Sequence, residues 1–144
     1  MTRNIIITTA LAAILAISAA PAMANSVFLN QSGFGNAAGG AQIGVDNQLG
    51  IFQNGAFNQA VGQQNGNHNT GAIGQDGFNN YGETNQNGSF NQAGVGQFGD
   101  NHTSVLSQDG NGNVAAGVQV GNGCSADVQQ HGVGNVSAFV QACP

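Results

Sequence analysis

Asn47-Gln48-Leu49-Gly50-Ile51-Phe52-Gln53-Asn54-Gly55-Ala56-Phe57, continuing as Asn58-Gln59-Ala60-Val61-Gly62-Gln63-Gln64, is the stretch whose reading decides the fold. Gln53 is followed by Gly55, then by Asn58, and after eleven residues by another Gln, Gln64. Carried outward, the spacing does not slip. Gln stands at Gln31, Gln42, Gln53, Gln64, Gln75, Gln86, Gln97, Gln108, Gln119, Gln130 and Gln141. Two residues after each of the first ten comes Gly33, Gly44, Gly55, Gly66, Gly77, Gly88, Gly99, Gly110, Gly121 and Gly132, and Cys143 takes that slot after Gln141. The third series is Asn25, Asn36, Asn47, Asn58, Asn69, Asn80, Asn91, Asn113 and Asn135, with His102 and Cys124 in its two remaining slots. A fixed period over so much chain marks a repeat architecture, in which each unit buries its face against its neighbours.

Each unit translates into a strand and a turn. Gly tolerates positive φ without steric cost, so the stretch x-Gly-x-x after each Gln reads as the turn. Asn to the next Gln is seven residues, a usual strand length. Alternate residues of a strand share a face. For Asn47–Gln53 one face carries Asn47, Leu49, Ile51 and Gln53, and the next unit presents Asn58, Ala60, Gly62 and Gln64. This face reads as the inside, because Asp46, Asp76, Glu83, Asp100, Asp109 and Asp127 all fall in turns or on the other face.

If successive strands fold back across a thin core, the third residue of one faces the fifth of the next. One row of pairs is then Ala38 with Ile51, Ala60 with Ile73, Gly82 with Val95, Ser104 with Gly117 and Ala126 with Phe139. The other is Gly40 with Leu49, Thr84 with Ala93, Leu106 with Ala115 and Val128 with Ser137. No pair sets two large side chains together, as a close-packed thin interior requires. The expected fold is therefore all-β: a two-sheet, parallel, amyloid-like β-solenoid of 11-residue strand–turn units, with two units, twice eleven residues, in each rung. Identical amides would then stack one strand apart and hydrogen-bond along the axis, since an amide both donates and accepts. An antiparallel meander is the alternative, and it would place Gln beside Asn instead of like beside like.

The first residues stand outside this pattern. Arg3 is the only basic residue, Ile5 to Ala19 is apolar, and Pro21-Ala22-Met23-Ala24 places small residues at a cleavage-site pattern. Residues 1–24 read as a secretory signal peptide, and 25–144 as the repeat domain. An uncleaved anchor would need roughly 20 apolar residues. From Asn25 onward the chain has no Lys or Arg, so it has no means of neutralising phosphates, and nucleic-acid binding is disfavoured.

Cys124 and Cys143 fall in the last rung and are expected to be neighbours. In a secreted chain with two cysteines a disulfide is the first expectation. A zinc site of His102, Cys124 and Cys143 is the alternative, but it lacks a fourth ligand. No phosphate loop, no regularly placed Asp for calcium and no convergent acid, base or nucleophile set is present, so neither a cofactor nor catalysis is expected. Phe34, Phe57, Phe78 and Phe90 fall in turns, where packing within the turns and adhesive contact are the two readings.

The unit Gln-x-Gly-x-x-Asn-x-Ala-x-x-x-Gln resembles the curlin repeat of bacterial curli amyloid subunits. It is complete at Gln31–Gln42, Gln53–Gln64, Gln86–Gln97 and Gln108–Gln119, and the likeness extends over residues 25–144. The resemblance implies a subunit of extracellular fibres in the biofilm matrix, secreted through the outer membrane and adhesive. Its partners would be copies of itself, a nucleator subunit and an outer-membrane secretion machinery. Here Asn25, Val27, Leu29 and Gln31 are already in register, without the Gly-rich export segment usual in major curli subunits, and cysteines are a further departure. The competing function is a monomeric secreted solenoid, an adhesin or ice-binding surface protein. Eleven strands make five and a half rungs, so turning the next subunit by half a revolution about the axis would fill the half-rung gap at a junction.

Overall fold

The structure is a computed structural model that describes residues 24–144. The leader reading of residues 1–24 thus lies outside the described residues, apart from Ala24. Eleven strands follow one another: β1 Ser26–Phe34, β2 Ala37–Val45, β3 Gln48–Ala56, β4 Gln59–Asn67, β5 Thr70–Phe78, β6 Tyr81–Ser89, β7 Gln92–Asp100, β8 Thr103–Asn111, β9 Val114–Asn122, β10 Ser125–Val133 and β11 Val136–Cys143. Odd-numbered strands form a six-stranded sheet in the order β1-β3-β5-β7-β9-β11, and even-numbered strands a five-stranded sheet in the order β2-β4-β6-β8-β10. All pairings are parallel and join residues 22 apart, as in Gln53↔Gln75 and Gln64↔Gln86. The fold is the all-β parallel solenoid expected, and the like-with-like register rules out the antiparallel meander.

The strands are longer than the sequence reading made them. β1 to β10 each run through the glycine, which stays in the ladder (Gly33↔Gly55), and end three residues after the Gln; β11 ends at Cys143, two residues after Gln141. The chain therefore bends without leaving the sheet, first at the glycine and again at the residue before the Asn. That second position is left-handed whatever residue fills it: Asp46, Phe57, His68, Asn79, Phe90 and Asn101 have φ between 56° and 60°. Such a conformation costs a bulky residue of order 1–3 kcal/mol. Stacking of the bends offsets part of that cost. Phe57 N–H donates to Phe34 O at 3.0 Å, and the Phe34, Phe57 and Phe78 rings meet edge to face with centroids 5.5 and 5.6 Å apart. His68 stacks on Phe90 at 4.9 Å and meets Asp46 Oδ2 at 3.1 Å. Phe34, Phe57 and Phe78 thus pack along the axis with one another, and Phe90 packs with His68.

Leu49, Ile51, Ala60 and Ile73 form one buried apolar cluster, with Ala38 against it. Ala93, Val95, Leu106 and Ala115 form a second, flanked by Val128 and Phe139. The facing pairs are not exclusive. Leu49 lies against both Gly40 and Gly62, and a Cβ on Gly82 would come nearest Ile73 Cγ2, at 2.9 Å, instead of Val95. The chain climbs half a rung with each strand, so every strand faces the gap between two strands opposite. Phe139, expected over Ala126, lays its ring where a Cβ on Gly117 of its own sheet would be. None of the six acidic residues is buried.

Candidate functional site: the amide ladders and the two ends

Gln53, Gln64, Gln75, Gln86, Gln97, Gln108 and Gln119 are at most 2% exposed. A buried amide is tolerated only when its polar atoms are paired, and here the pairing is periodic. In the odd sheet Nε2 of each Gln donates to Oε1 of the next: Gln31 to Gln53 at 2.6 Å, Gln53 to Gln75 at 2.7 Å, Gln75 to Gln97 at 2.8 Å, Gln97 to Gln119 and Gln119 to Gln141 at 2.9 Å. In the even sheet Gln42, Gln64, Gln86, Gln108 and Gln130 do the same at 2.6–3.0 Å. The other N–H crosses the core to a backbone carbonyl of the opposite sheet, as in Gln53 to Ala37 O at 2.9 Å and Gln75 to Gln59 O at 2.8 Å. That cross-bond fixes the amide orientation, since only nitrogen can serve a carbonyl. Stacking identical amides predicts the ladder, but not this tie between the sheets.

The asparagines do something else. Asn has one methylene fewer than Gln, and its amide stays beside the backbone instead of reaching the amide above. Its Oδ1 accepts the backbone N–H of the residue 22 further on: Asn47 from Asn69, Asn69 from Asn91 and Asn91 from Asn113 in the odd sheet, each at 3.0 Å. Asn36, Asn58 and Asn80 serve Asn58, Asn80 and His102 in the even sheet. Its Nδ2 donates to a glycine carbonyl 19 residues on, such as Asn58 to Gly77 O at 2.9 Å and Asn113 to Gly132 O at 3.0 Å. The Asn series is therefore a row of clamps closing one turn onto the next rung. An amide-to-amide bond occurs at its last member, Asn135 to Asn113 Oδ1 at 3.0 Å.

His102 and Cys124 keep the clamp running with different atoms. His102 Nδ1 accepts Cys124 N–H at 3.1 Å, and Nε2 lies 3.2 Å from Phe98 O. Because a backbone N–H points at Nδ1, the ring is the Nε2–H tautomer, whose acceptor and donor stand in for Oδ1 and Nδ2 of asparagine. Cys124 is joined by a disulfide to Cys143, with Cα atoms 5.6 Å apart and a sequence separation of 19. This is the same 19-residue relation as the Asn-to-glycine clamp, made covalent at the last position where a partner exists. With both sulfurs in that bond, the His102–Cys124–Cys143 set has no thiolate to offer a metal.

The ladders have direction, and so the ends differ. At the N-terminal end Gln31 and Gln42 present Oε1 acceptors, and Asn25 and Asn36 present backbone N–H donors, with no ladder partner among the described residues. At the other end Gln130 and Gln141 each keep one Nε2–H that the ladder leaves over, and Asn135 keeps Oδ1. Donors at one end match acceptors at the other. On the outer face of the even sheet Tyr81 donates to Glu83 Oε2 at 2.6 Å. That hydrogen bond, partial burial and the neighbouring carboxylate charge raise the phenol above its ordinary pKa.

A parallel two-sheet solenoid with buried amide ladders and unequal open ends is a structural architecture. The family model of the curlin associated repeat matches residues 77–110, so the chain carries the curlin repeat, and the same 11-residue register continues on both sides of the match. No curated protein matches the chain.

Proposed function

We propose that the chain is the structural subunit of secreted, curli-like amyloid fibres of a biofilm matrix, self-assembling by end-to-end stacking and contributing to adhesion. The observation that carries this reading is the complementarity of the ends. The Nε2–H groups of Gln130 and Gln141 face outward at one end, and the Oε1 atoms of Gln31 and Gln42 at the other. One subunit laid on another extends each amide ladder and each backbone ladder by one more copy of the interior geometry. Half a revolution about the axis at the junction sets β1 of the incoming copy on β10 and β2 on β11, filling the half-rung left by eleven strands.

In this reading residues 1–24 are removed on secretion and residues 25–144 are the fibre subunit. By family likeness its partners are further copies, a nucleator subunit and an outer-membrane secretion machinery, and its place is the cell-surface fibre. The test is to incubate purified residues 25–144 and follow dye binding and electron microscopy. Unbranched fibres that seed fresh monomer support the reading. A chain that stays monomeric with and without seeds rejects it and favours the monomeric adhesin.

A further inference from the structure

The outer faces of the two sheets differ in chemistry. On β9 and β11 every outward residue, from Val114 to Val120 and from Val136 to Ala142, is valine or alanine. The even sheet instead turns out Ser107 and Asp109 on β8, and Asp127, Gln129 and His131 on β10. The winding of the chain does not require this contrast, because these side chains stand in solvent: Val140 is 79% exposed and Val120 45%. An apolar patch left exposed in this way marks an interaction surface.

The register gives the patch a relief. Gly94, Ala116 and Ala138 follow one another across β7, β9 and β11, and Gly96, Val118 and Val140 do so beside them. The two columns line a groove of about 420 Å3. Valine stands taller than the alanine next to it, so a ridge at Val118 and Val140 runs beside a furrow at Ala116 and Ala138, both parallel to the solenoid axis. A two-fold axis along that direction, placed between the columns, sets the ridge of each copy into the furrow of the other. Both faces repeat at the strand spacing of about 4.8 Å, so the fit recurs from rung to rung as in a dry interface between sheets.

Charge and area decide the occupant. From Asn25 onward the chain carries all 6 of its carboxylates and no Lys or Arg, so copies repel one another except across an uncharged face. Glu83, Asp109 and Asp127 lie on the outer face of the even sheet, while the outward residues of β9 and β11 include no charge. Across β7, β9 and β11 the face measures roughly 300 Å2, taking strands about 4.8 Å apart and a rise of about 3.3 Å per residue. That is well below the roughly 800 Å2 per partner of a stable interface, so two free subunits do not hold together through it. A filament presents the face repeatedly, and the contacts add. The half-turn junction also enlarges it, because β11 is continued by β2 of the next copy, whose outward Ala37, Gly39, Ala41 and Ile43 are uncharged as well.

Resting on the fibre reading above, we infer that the outer face of β7, β9 and β11 joins filaments side by side, its occupant being the same face of a second filament. With half a revolution at each junction the face appears on alternate sides, so filaments associate into flat ribbons.

The experiment compares two variants of residues 25–144 at the same position of the unit, Val118→Glu on the odd sheet and Ser107→Glu on the even one. Both are seeded with wild-type fibres, and electron microscopy counts filaments lying in lateral contact. In Val118→Glu a carboxylate would be buried without a partner, so the fraction in contact is expected to fall at least about tenfold. Ser107→Glu is expected to match wild type, and both should elongate as wild type does. Val118→Thr, which keeps shape and β-branching, is read instead if circular dichroism shows that Glu disturbs the fold; it too should lower the contact fraction. Equal contact fractions in the variants of the two sheets overturn the inference and leave the fibre reading intact. So do wild-type filaments that stay single, and if these float with neutral phosphatidylcholine vesicles the face belongs to lipid. Failure of wild type and variants alike to form fibres overturns both.

Discussion

Replacing Gln75 with Met keeps the side-chain length and the apolar contacts of the ladder but removes its amide. Gln75 is 1% exposed and holds three bonds: it accepts from Gln53 Nε2 at 2.7 Å and donates to Gln97 Oε1 and Gln59 O, both at 2.8 Å. Met leaves a Gln53 N–H and the Gln97 Oε1 unpaired within the core. Each orphaned group costs about 1–3 kcal/mol, so the loss is about 2–6 kcal/mol. Against a typical total of about 5–15 kcal/mol, that is a large fraction of the fold's stability. Gln141→Met is the matched control, because its strand is the outer one of its sheet and it orphans one interior ladder group, the Gln119 Nε2–H, instead of two; about 1–3 kcal/mol, half the Gln75→Met cost, is expected there. Gln75→Glu should be at least as damaging as Met, since a carboxylate turned toward Gln97 Oε1 sets acceptor against acceptor. The assay is denaturant unfolding of freshly prepared monomer, followed by far-ultraviolet circular dichroism, with the slope checked for constancy. Equal costs for Gln75→Met and Gln141→Met would refute the claim that the buried ladder holds the rungs in register.

Other outcomes follow from the same geometry. Gly55→Ala should destabilise by at least about 1–3 kcal/mol, from positive-φ strain alone, because its Cβ also meets the Gly77 carbonyl; the same unfolding measurement checks it. His102→Asn should leave stability within about 1 kcal/mol, whereas His102→Leu should lose about 1–3 kcal/mol by stranding Cys124 N–H. Mass spectrometry without reductant should find the chain lighter by the two thiol hydrogens of Cys124 and Cys143, and a Cys124→Ser, Cys143→Ser variant should lose about 3 kcal/mol. The Tyr81 phenol should titrate above its ordinary value of 10.0, and Glu83→Gln should bring it down. Because the folded-state value is the higher one, its contribution to stability is complete below the unfolded value and disappears as pH rises through the folded one.

The rung was legible because side-chain alternation is strict: the interval between Gln53 and Gln64 places the repeat's Asn and Gln and the buried Leu49, Ile51 and Ala60 on one face. Three features were not. The left-handed bend has no common chemistry, since Asp46, Phe57, His68 and Asn101 share φ but no side-chain property, and the shared geometry comes from the stack. The clamp made by Asn58 and its counterparts depends on side-chain length relative to the strand start, which a ladder argument from amide identity passes over. The double contact of Leu49 with Gly40 and Gly62 follows from the half-rung offset between the sheets, which appears only once the chain is wound.

Parallel, like-on-like stacking of 22-residue rungs should continue from subunit to subunit. X-ray diffraction from aligned fibres of residues 25–144 tests this most directly. A sharp meridional reflection at about 4.8 Å, with an equatorial one at about 10 Å, is the predicted result. A meridional repeat of about twice that strand spacing, as antiparallel pairing produces, or fibres lacking the strand reflection would contradict it.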